Sequence, residues 1–169
     1  MNKILMVDYS KCTGCRLCEV VCSVKKNGAA NPARARIAVV KWESICVDTP
    51  MLCQQCQSAP CVAVCPVKAM TKDEGMGRVK INDDLCIGCR FCVAVCPFGA
   101  VALDHVSGKI IKCDLCDGDP TCVKFCETKA LQYVDATAAN TSKRREAAEK
   151  LPELIRGFVV KPKTSSYLS

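Results

Sequence analysis

The chain has 169 residues, with 24 Lys and Arg against 17 Asp and Glu, and it carries 17 cysteines. Its length allows one domain or two very small ones. Aromatics at 5% exclude a core of packed rings, and no apolar run approaches the length of a membrane span.

Residues 3–8 read as a short strand from their apolar and β-branched content. Ile4, Leu5, Met6 and Val7 are too few for a signal-peptide core, and Asp8 interrupts them, so a reducing cytoplasm is the expected setting. A first cysteine run follows: Cys12, Cys15, Cys18 and Cys22, with Gly14 inside it. A polar loop is expected from Lys25 to Arg34, then a strand over 36–42. The second run is Cys53, Cys56, Cys61 and Cys65, closed by Pro66; Pro60 stiffens its widened middle gap. Residues 69–72 and 78–81 flank a turn and read as a β-hairpin. The Gly75-x-Gly77 pair inside that turn is too short for a dinucleotide fingerprint. The third run is Cys86, Cys89, Cys92 and Cys96, closed by Pro97. Residues 100–103 and 109–112 form a second hairpin, with His105 exposed in its turn. The fourth run is Cys113, Cys116, Cys122 and Cys126, with Pro120 in its longer gap, and 130–134 reads as a closing strand. Run, strand, turn and strand make an internal repeat. Residues 136–169 hold no cysteine and carry seven Lys and Arg against three Glu. A short helix is expected over 143–151, interrupted at Pro152.

The third run shows why the spacing matters. C-x2-C-x2-C-x3-C-P is the ligand pattern of a [4Fe–4S] cube, and in two-cluster ferredoxins the fourth cysteine serves the other cluster. Three thiolates on one small face require a tight loop, and Gly88 has no Cβ to keep the backbone away. A helical turn from Cys92 places Cys96 one turn further on, and Pro97 stops that turn. Structural zinc is the bland alternative, since it also takes C-x2-C pairs. The apolar residues between third and fourth cysteines suit ferredoxin loops better. Four thiolates on an oxidised cube leave roughly −2, so four cubes add about −8. That offsets the formal +7, and no nucleic-acid partner is expected.

Sixteen of the 17 cysteines fall into four sets of four. Sequential pairing joins run one to two and three to four; nested pairing joins two to three, with one and four wrapped around them. Nesting is favoured because only runs two and three end in Cys-Pro, and because strands 3–8 and 130–134 can pair across the chain ends. Cluster 1 then takes Cys12, Cys15, Cys18 and Cys126. Cluster 2 takes Cys53, Cys56, Cys61 and Cys96. Cluster 3 takes Cys86, Cys89, Cys92 and Cys65, and cluster 4 takes Cys113, Cys116, Cys122 and Cys22. The expected fold is α+β: tandem, nested, bacterial-type 2×[4Fe–4S] ferredoxin modules. The domain spans 1–135, with an outer module of 1–45 and 105–135 and an inner module of 46–104. The basic extension 136–169 is a partner-docking segment, whose Leu151, Leu154, Ile155, Phe158 and Val159 need burial.

Across residues 2–134, all four runs resemble the four-cluster polyferredoxin subunits of molybdenum and tungsten pterin enzymes, and of related carbon monoxide dehydrogenases and hydrogenases. Residues 11–18, 31–37 and 112–122 resemble the small subunit of bacterial tungsten aldehyde oxidoreductases. Run four ends in Cys126-Glu127 where many relatives have Cys-Pro, and run two has Gln54-Gln55 where many have Asn-His; neither departure removes a ligand. The resemblance implies nested ligation and electron relay. It implies a large tungsten- or molybdenum-pterin catalytic subunit at one end and a flavoprotein or ferredoxin at the other, or a second copy docked end to end. The alternatives are a free-standing polyferredoxin and an electron-transfer subunit of a carbon monoxide dehydrogenase, hydrogenase or formate dehydrogenase. A zinc-bearing interaction module is the third. No nucleophile–base pair, phosphate loop or flavin site appears, so the chain reads as a carrier and not a catalyst. Cys46 reads as a small buried thiol, Trp42 and Tyr133 as packing residues, and Arg34 and Arg36 as one face of a strand.

Overall fold

A computed structural model describes residues 3–137 together with Asn140, Thr141 and Arg144. Apart from Arg144, the expected helix over 143–151 lies outside the described residues, as do the apolar residues beyond it. The described strands form four two-stranded antiparallel ribbons. β1 (Lys3–Val7) pairs with β8 (Leu131–Asp135) in the register Leu5 to Tyr133 and Val7 to Leu131, closing the chain ends as expected. β4 (Met70–Asp73) pairs with β5 (Arg78–Ile81), and β6 (Val101–Leu103) with β7 (Ile110–Lys112), which are the two expected hairpins.

The fourth ribbon was only half expected. β2 (Ile37–Trp42) pairs with β3 (Val47–Leu52), and Pro50 argues against the second strand. The ribbon tolerates it for a physical reason. Pro50 stands opposite Val39, whose N–H turns away to donate to Glu19 Oε1 at 2.6 Å. The pair is therefore a non-hydrogen-bonded one, and the missing proline N–H leaves no gap in the ladder.

Four helices carry five of the cysteines: α1 (Leu17–Asn27), α2 (Pro60–Ala63), α3 (Phe91–Val95) and α4 (Thr121–Lys124). α1 packs on α4, and α2 on α3. The loop expected from Lys25 is instead the last turn of α1. Lys25 and Lys26 suit the helix C-terminus, Lys26 Nζ reaches Asp114 at 2.7 Å, and Gly28 ends the helix at φ 71°. Pro60 is the first residue of α2 rather than a loop stiffener, since a missing N–H costs nothing there.

Two apolar cores result. One gathers Leu5, Val7, Ile37, Leu52, Leu115 and Leu131 with Cys22 and Cys122. The other gathers Met70, Val79, Val101 and Ile110 with Cys61 and Cys92. Thiols are members of both cores, and Tyr9, Phe91, Phe98 and Phe125 stay exposed.

Candidate metal centre

Each run opens with C-x2-C, and in every one the residue before the second cysteine has a positive φ: Gly14 +63°, Gln55 +48°, Gly88 +68° and Leu115 +60°. This left-handed residue turns the loop back on itself, so that thiols close in sequence share one side. Gly88 has no protein atom within 4 Å of where a Cβ would stand, so its φ rather than crowding asks for glycine. At Gly14 both reasons apply, since an added Cβ would meet the Asp48 carboxylate at 2.5 Å. Arg16 and Arg90, two residues further on, are also left-handed, at φ 59° and 65°. After the fourth cysteine the chain turns again through Lys68, Gly99 and Lys129, whose N–H groups donate to the carbonyls of Cys65, Cys96 and Cys126.

The thiols come together across runs. Cys22 and Cys113, Cys116, Cys122 line one cavity, with Leu5, Leu52 and Leu115 on its walls. Cys96 and Cys53, Cys56, Cys61 line a second. Cys18 and Cys126 pack against one core; Cys65, Cys86 and Cys92 belong to or pack against the other. All 17 cysteines are free thiols, and of the sixteen in the runs only Cys15 and Cys89 are exposed. Burial pushes the Cys18 and Cys113 thiols up to about 12, and pushes Cys22, Cys61, Cys92 and Cys122 up as well. Cys65 moves the other way because the Met70 N–H donates to it. Leu131 N donates to Cys126 Sγ at 3.4 Å, and Arg36 N to Cys22 Sγ at 3.3 Å.

These residues fit an iron–sulfur group. Four sulfur donors around an apolar cavity are the donor set of a cube. A single zinc ion would draw four sulfurs to within about 3.8 Å of one another, given Zn–S bonds near 2.3 Å. Among the described residues no three of His, Cys, Asp or Glu gather as they would around one ion. Arg36 Nε is buried without a hydrogen-bond partner, and Arg36 lines the cavity of Cys22, Cys113, Cys116 and Cys122. An unspent donor there suits sulfide acceptors.

Several single residues differ from expectation. Cys46 is exposed, not buried, because it sits at φ 53° in the turn joining β2 to β3. Trp42, at the end of the same ribbon, is 48% exposed and packs in neither core. Arg34 and Arg36 do not share a strand face. Arg34 ends a 3-10 turn and grips Asp104 with two bonds of 2.9 and 2.7 Å, while Arg36 reaches Asp114 at 3.1 Å. Arg34 and Ser107 hold the Asp104 carboxyl well below the usual carboxylate range. His105 is exposed in its turn and Tyr133 packs against the first core, both as expected.

Three polar side chains that cross-link the neighbourhood of run four carried no sequence signal. Gln55 Nε2 donates to Cys113 O at 2.8 Å, and Gln55 Oε1 accepts from Val79 N at 2.9 Å. Arg78, buried, reaches Asp73, Asp117 and the carbonyl of Asp114. Lys112 reaches across to Val79 O. Gln55, Arg78 and Lys112 look like ordinary polar residues until the topology brings runs two and four together.

Known proteins carry the same pattern. The 4Fe-4S dicluster domain family matches residues 45–136, and the 4Fe-4S binding domain family matches 5–25. YsaA of Escherichia coli (strain K12) is 39% identical over 160 residues, covering 86% of this chain and 98% of that protein. The polyferredoxin-like subunit of the aliphatic sulfonate oxidoreductase of Pyrococcus furiosus is 39% identical over 122 residues, covering 72% of this chain and 70% of its own. Formate hydrogenlyase subunit 2 of Escherichia coli (strain K12) is 35% identical over 185 aligned positions, covering 86% and 88%. With more than half its length inside the first family match, the chain belongs to the 4Fe-4S dicluster family of ferredoxin-like electron-transfer proteins.

Proposed function

We propose that the chain holds four [4Fe–4S] clusters in nested sets and relays single electrons between a tungsten- or molybdenum-pterin catalytic subunit and a flavoprotein or ferredoxin. The observation that carries this reading is the shared cavities: run one's Cys22 lies with run four, and run three's Cys96 lies with run two. Sequential pairing would bring run one to run two and run three to run four. The remaining sets are Cys12, Cys15, Cys18 with Cys126, and Cys86, Cys89, Cys92 with Cys65. Two interleaved modules follow, outer (1–45 with 105–135) and inner (46–104). The β2–β3 ribbon crosses their border, its Leu52 packed in the first core and Cys53 opening run two.

When bound, each cluster supplies one-electron chemistry and makes no bond to a substrate. The protein's work is to hold and to insulate. Cys22, Cys53, Cys61, Cys92 and Cys122 are buried, so apolar walls keep water from the sulfurs. Backbone N–H groups of Met70 and Leu131 donate to the fourth thiols and favour the thiolate. Gln55 ties run two to run four, so those two sets lie mid-molecule, and Cys15 and Cys89 mark the outer ends. No described helix is long and apolar enough to cross a membrane; we place the chain in the cytoplasm.

The name of the Pyrococcus furiosus relative supports a subunit role beside a catalytic oxidoreductase subunit. Formate hydrogenlyase subunit 2 favours the second reading, a subunit of a formate- or hydrogen-converting assembly. Anaerobic co-purification with metal analysis separates the two. The first reading expects about sixteen iron atoms per chain and a large partner containing tungsten or molybdenum. Nickel in the partner would favour the second, and stoichiometric zinc in place of iron would sink both. Cys89→Ala should remove one cluster and interrupt transfer; unchanged iron content and relay rate would contradict the assignment.

A further inference from the structure

Lys112 closes β7 where the two cores meet, and it is 2% exposed. Its Nζ donates to Val79 O at 2.7 Å and Cys113 O at 2.9 Å, and stands 3.5 Å from Gln55 Oε1. Three acceptors around one nitrogen match the three protons of an ammonium; a neutral amine would turn its lone pair toward one of these oxygens. The neighbouring cations are balanced by carboxylates. Lys26 and Arg36 share Asp114, and Arg78 takes Asp73 and Asp117. Among the described residues, Lys112 meets only carbonyl and amide oxygens.

An ammonium buried without an opposite charge is costly. Negative charge close by would offset that cost, and two sets of thiols flank the site. Cys113 follows Lys112 directly, and its carbonyl accepts from Nζ. Val79, whose carbonyl accepts from the same Nζ, lines the cavity of Cys53, Cys56, Cys61 and Cys96. The cation therefore stands between the backbone segments that hold the two middle sets.

We propose that Lys112 is the buried counter-charge of the two middle clusters, and that it raises the reduction potential of both. This rests on the four-cluster reading above. Reduction of a thiolate-bound cube adds one electron and one negative charge, with no bond made or broken. A fixed cation nearby lowers the energy of the reduced form more than that of the oxidised one. Nearby charge is one of the levers by which proteins set such potentials. The effect is local: among the described residues Lys112 Nζ bonds to Val79, Cys113 and Gln55 and to no cysteine loop of the sets that hold Cys15 or Cys89.

The test uses the anaerobically purified, cluster-loaded full chain. Lys112→Met, Lys112→Gln and Lys112→Arg are titrated electrochemically with EPR detection, and iron is counted in each. In Met and Gln variants, two of the four midpoints should fall while the other two hold and iron content stays unchanged. The Arg variant should restore the wild-type midpoints. Four unmoved midpoints, or four that shift together, overturn the proposal. Loss of iron in both neutral variants with retention in Lys112→Arg also overturns it, in favour of a purely structural lysine. A wild-type chain with fewer than about sixteen iron atoms overturns the four-cluster reading itself, whatever the variants do.

Discussion

Gly14 and Gly88 occupy the loop position that Gln55 and Leu115 occupy in the other two runs, and all four are left-handed. Glycine takes that conformation freely, whereas a side chain there costs about 1–2 kcal/mol. Runs two and four accept the cost and use the side chain. Leu115 is 1% exposed in the first core, and full burial of a leucine is worth about 1.5–3 kcal/mol. Gln55 binds both Cys113 O and Val79 N. Runs one and three have no such anchor, and each presents an exposed cysteine, Cys15 or Cys89. The difference teaches that one loop serves two purposes. With glycine the next cysteine, Cys15 or Cys89, stays exposed; with a side chain the loop is anchored, Leu115 in the first core and Gln55 on the carbonyl of Cys113.

The comparison breaks most visibly at Leu115. Leu115→Ala should destabilise the protein by about 2–5 kcal/mol, the usual range for a buried leucine. Ile87→Ala, in run three, should change stability by less than about 0.5 kcal/mol because Ile87 is 65% exposed. Anaerobic denaturant unfolding of the two variants side by side measures the contrast, and equal losses would refute it.

Next comes Gln55→Ala, which leaves the Val79 N–H without its partner, while the Cys113 carbonyl keeps Lys112 Nζ. A loss of about 1–3 kcal/mol is expected. Cluster bleaching under mild denaturant should quicken first for the middle sets, read by EPR. A variant that bleaches at the wild-type rate would contradict that anchoring role.

The smallest effect separates the two glycines. Gly88→Ala has open space around it and should cost about 1–2 kcal/mol for its φ alone. Gly14→Ala must also displace the Asp48 carboxylate, so it should cost more. Asp48→Ala combined with Gly14→Ala should bring that cost back toward the Gly88 value. Thermal unfolding under anaerobic conditions orders the three.

Much of this was legible in the residues. The cysteine spacing marks the runs, and Val, Ile and Leu between turn signals mark seven of the eight strands. The nested alternative could be favoured because Pro66 and Pro97 set runs two and three apart. What stayed hidden depends on tertiary contact. β3 was obscured by Pro50, whose missing N–H matters only if the ladder needs it. The last turn of α1 looked like a loop because Lys25, Lys26 and Asn27 are polar, but Lys26 is fixed by Asp114, 88 residues away. Nothing local announces that Gln55 and Leu115 are left-handed, since the compensation comes from residues distant in sequence: Cys113 and Val79 for Gln55, and the first core for Leu115. Cys46 and Trp42 were assigned to the interior by residue type, and the end of the β2–β3 ribbon has no interior.

The proposed relay binds four clusters through thiols exchanged between runs one and four and between runs two and three. Iron-edge anomalous diffraction from crystals of the anaerobically purified protein tests it most directly. It should show four separate iron peaks. Cys126 should bind beside Cys12, Cys15 and Cys18, Cys22 beside run four, Cys96 beside run two, and Cys65 beside run three. Fewer peaks, or a cluster bound by all four cysteines of a single run, would contradict the account.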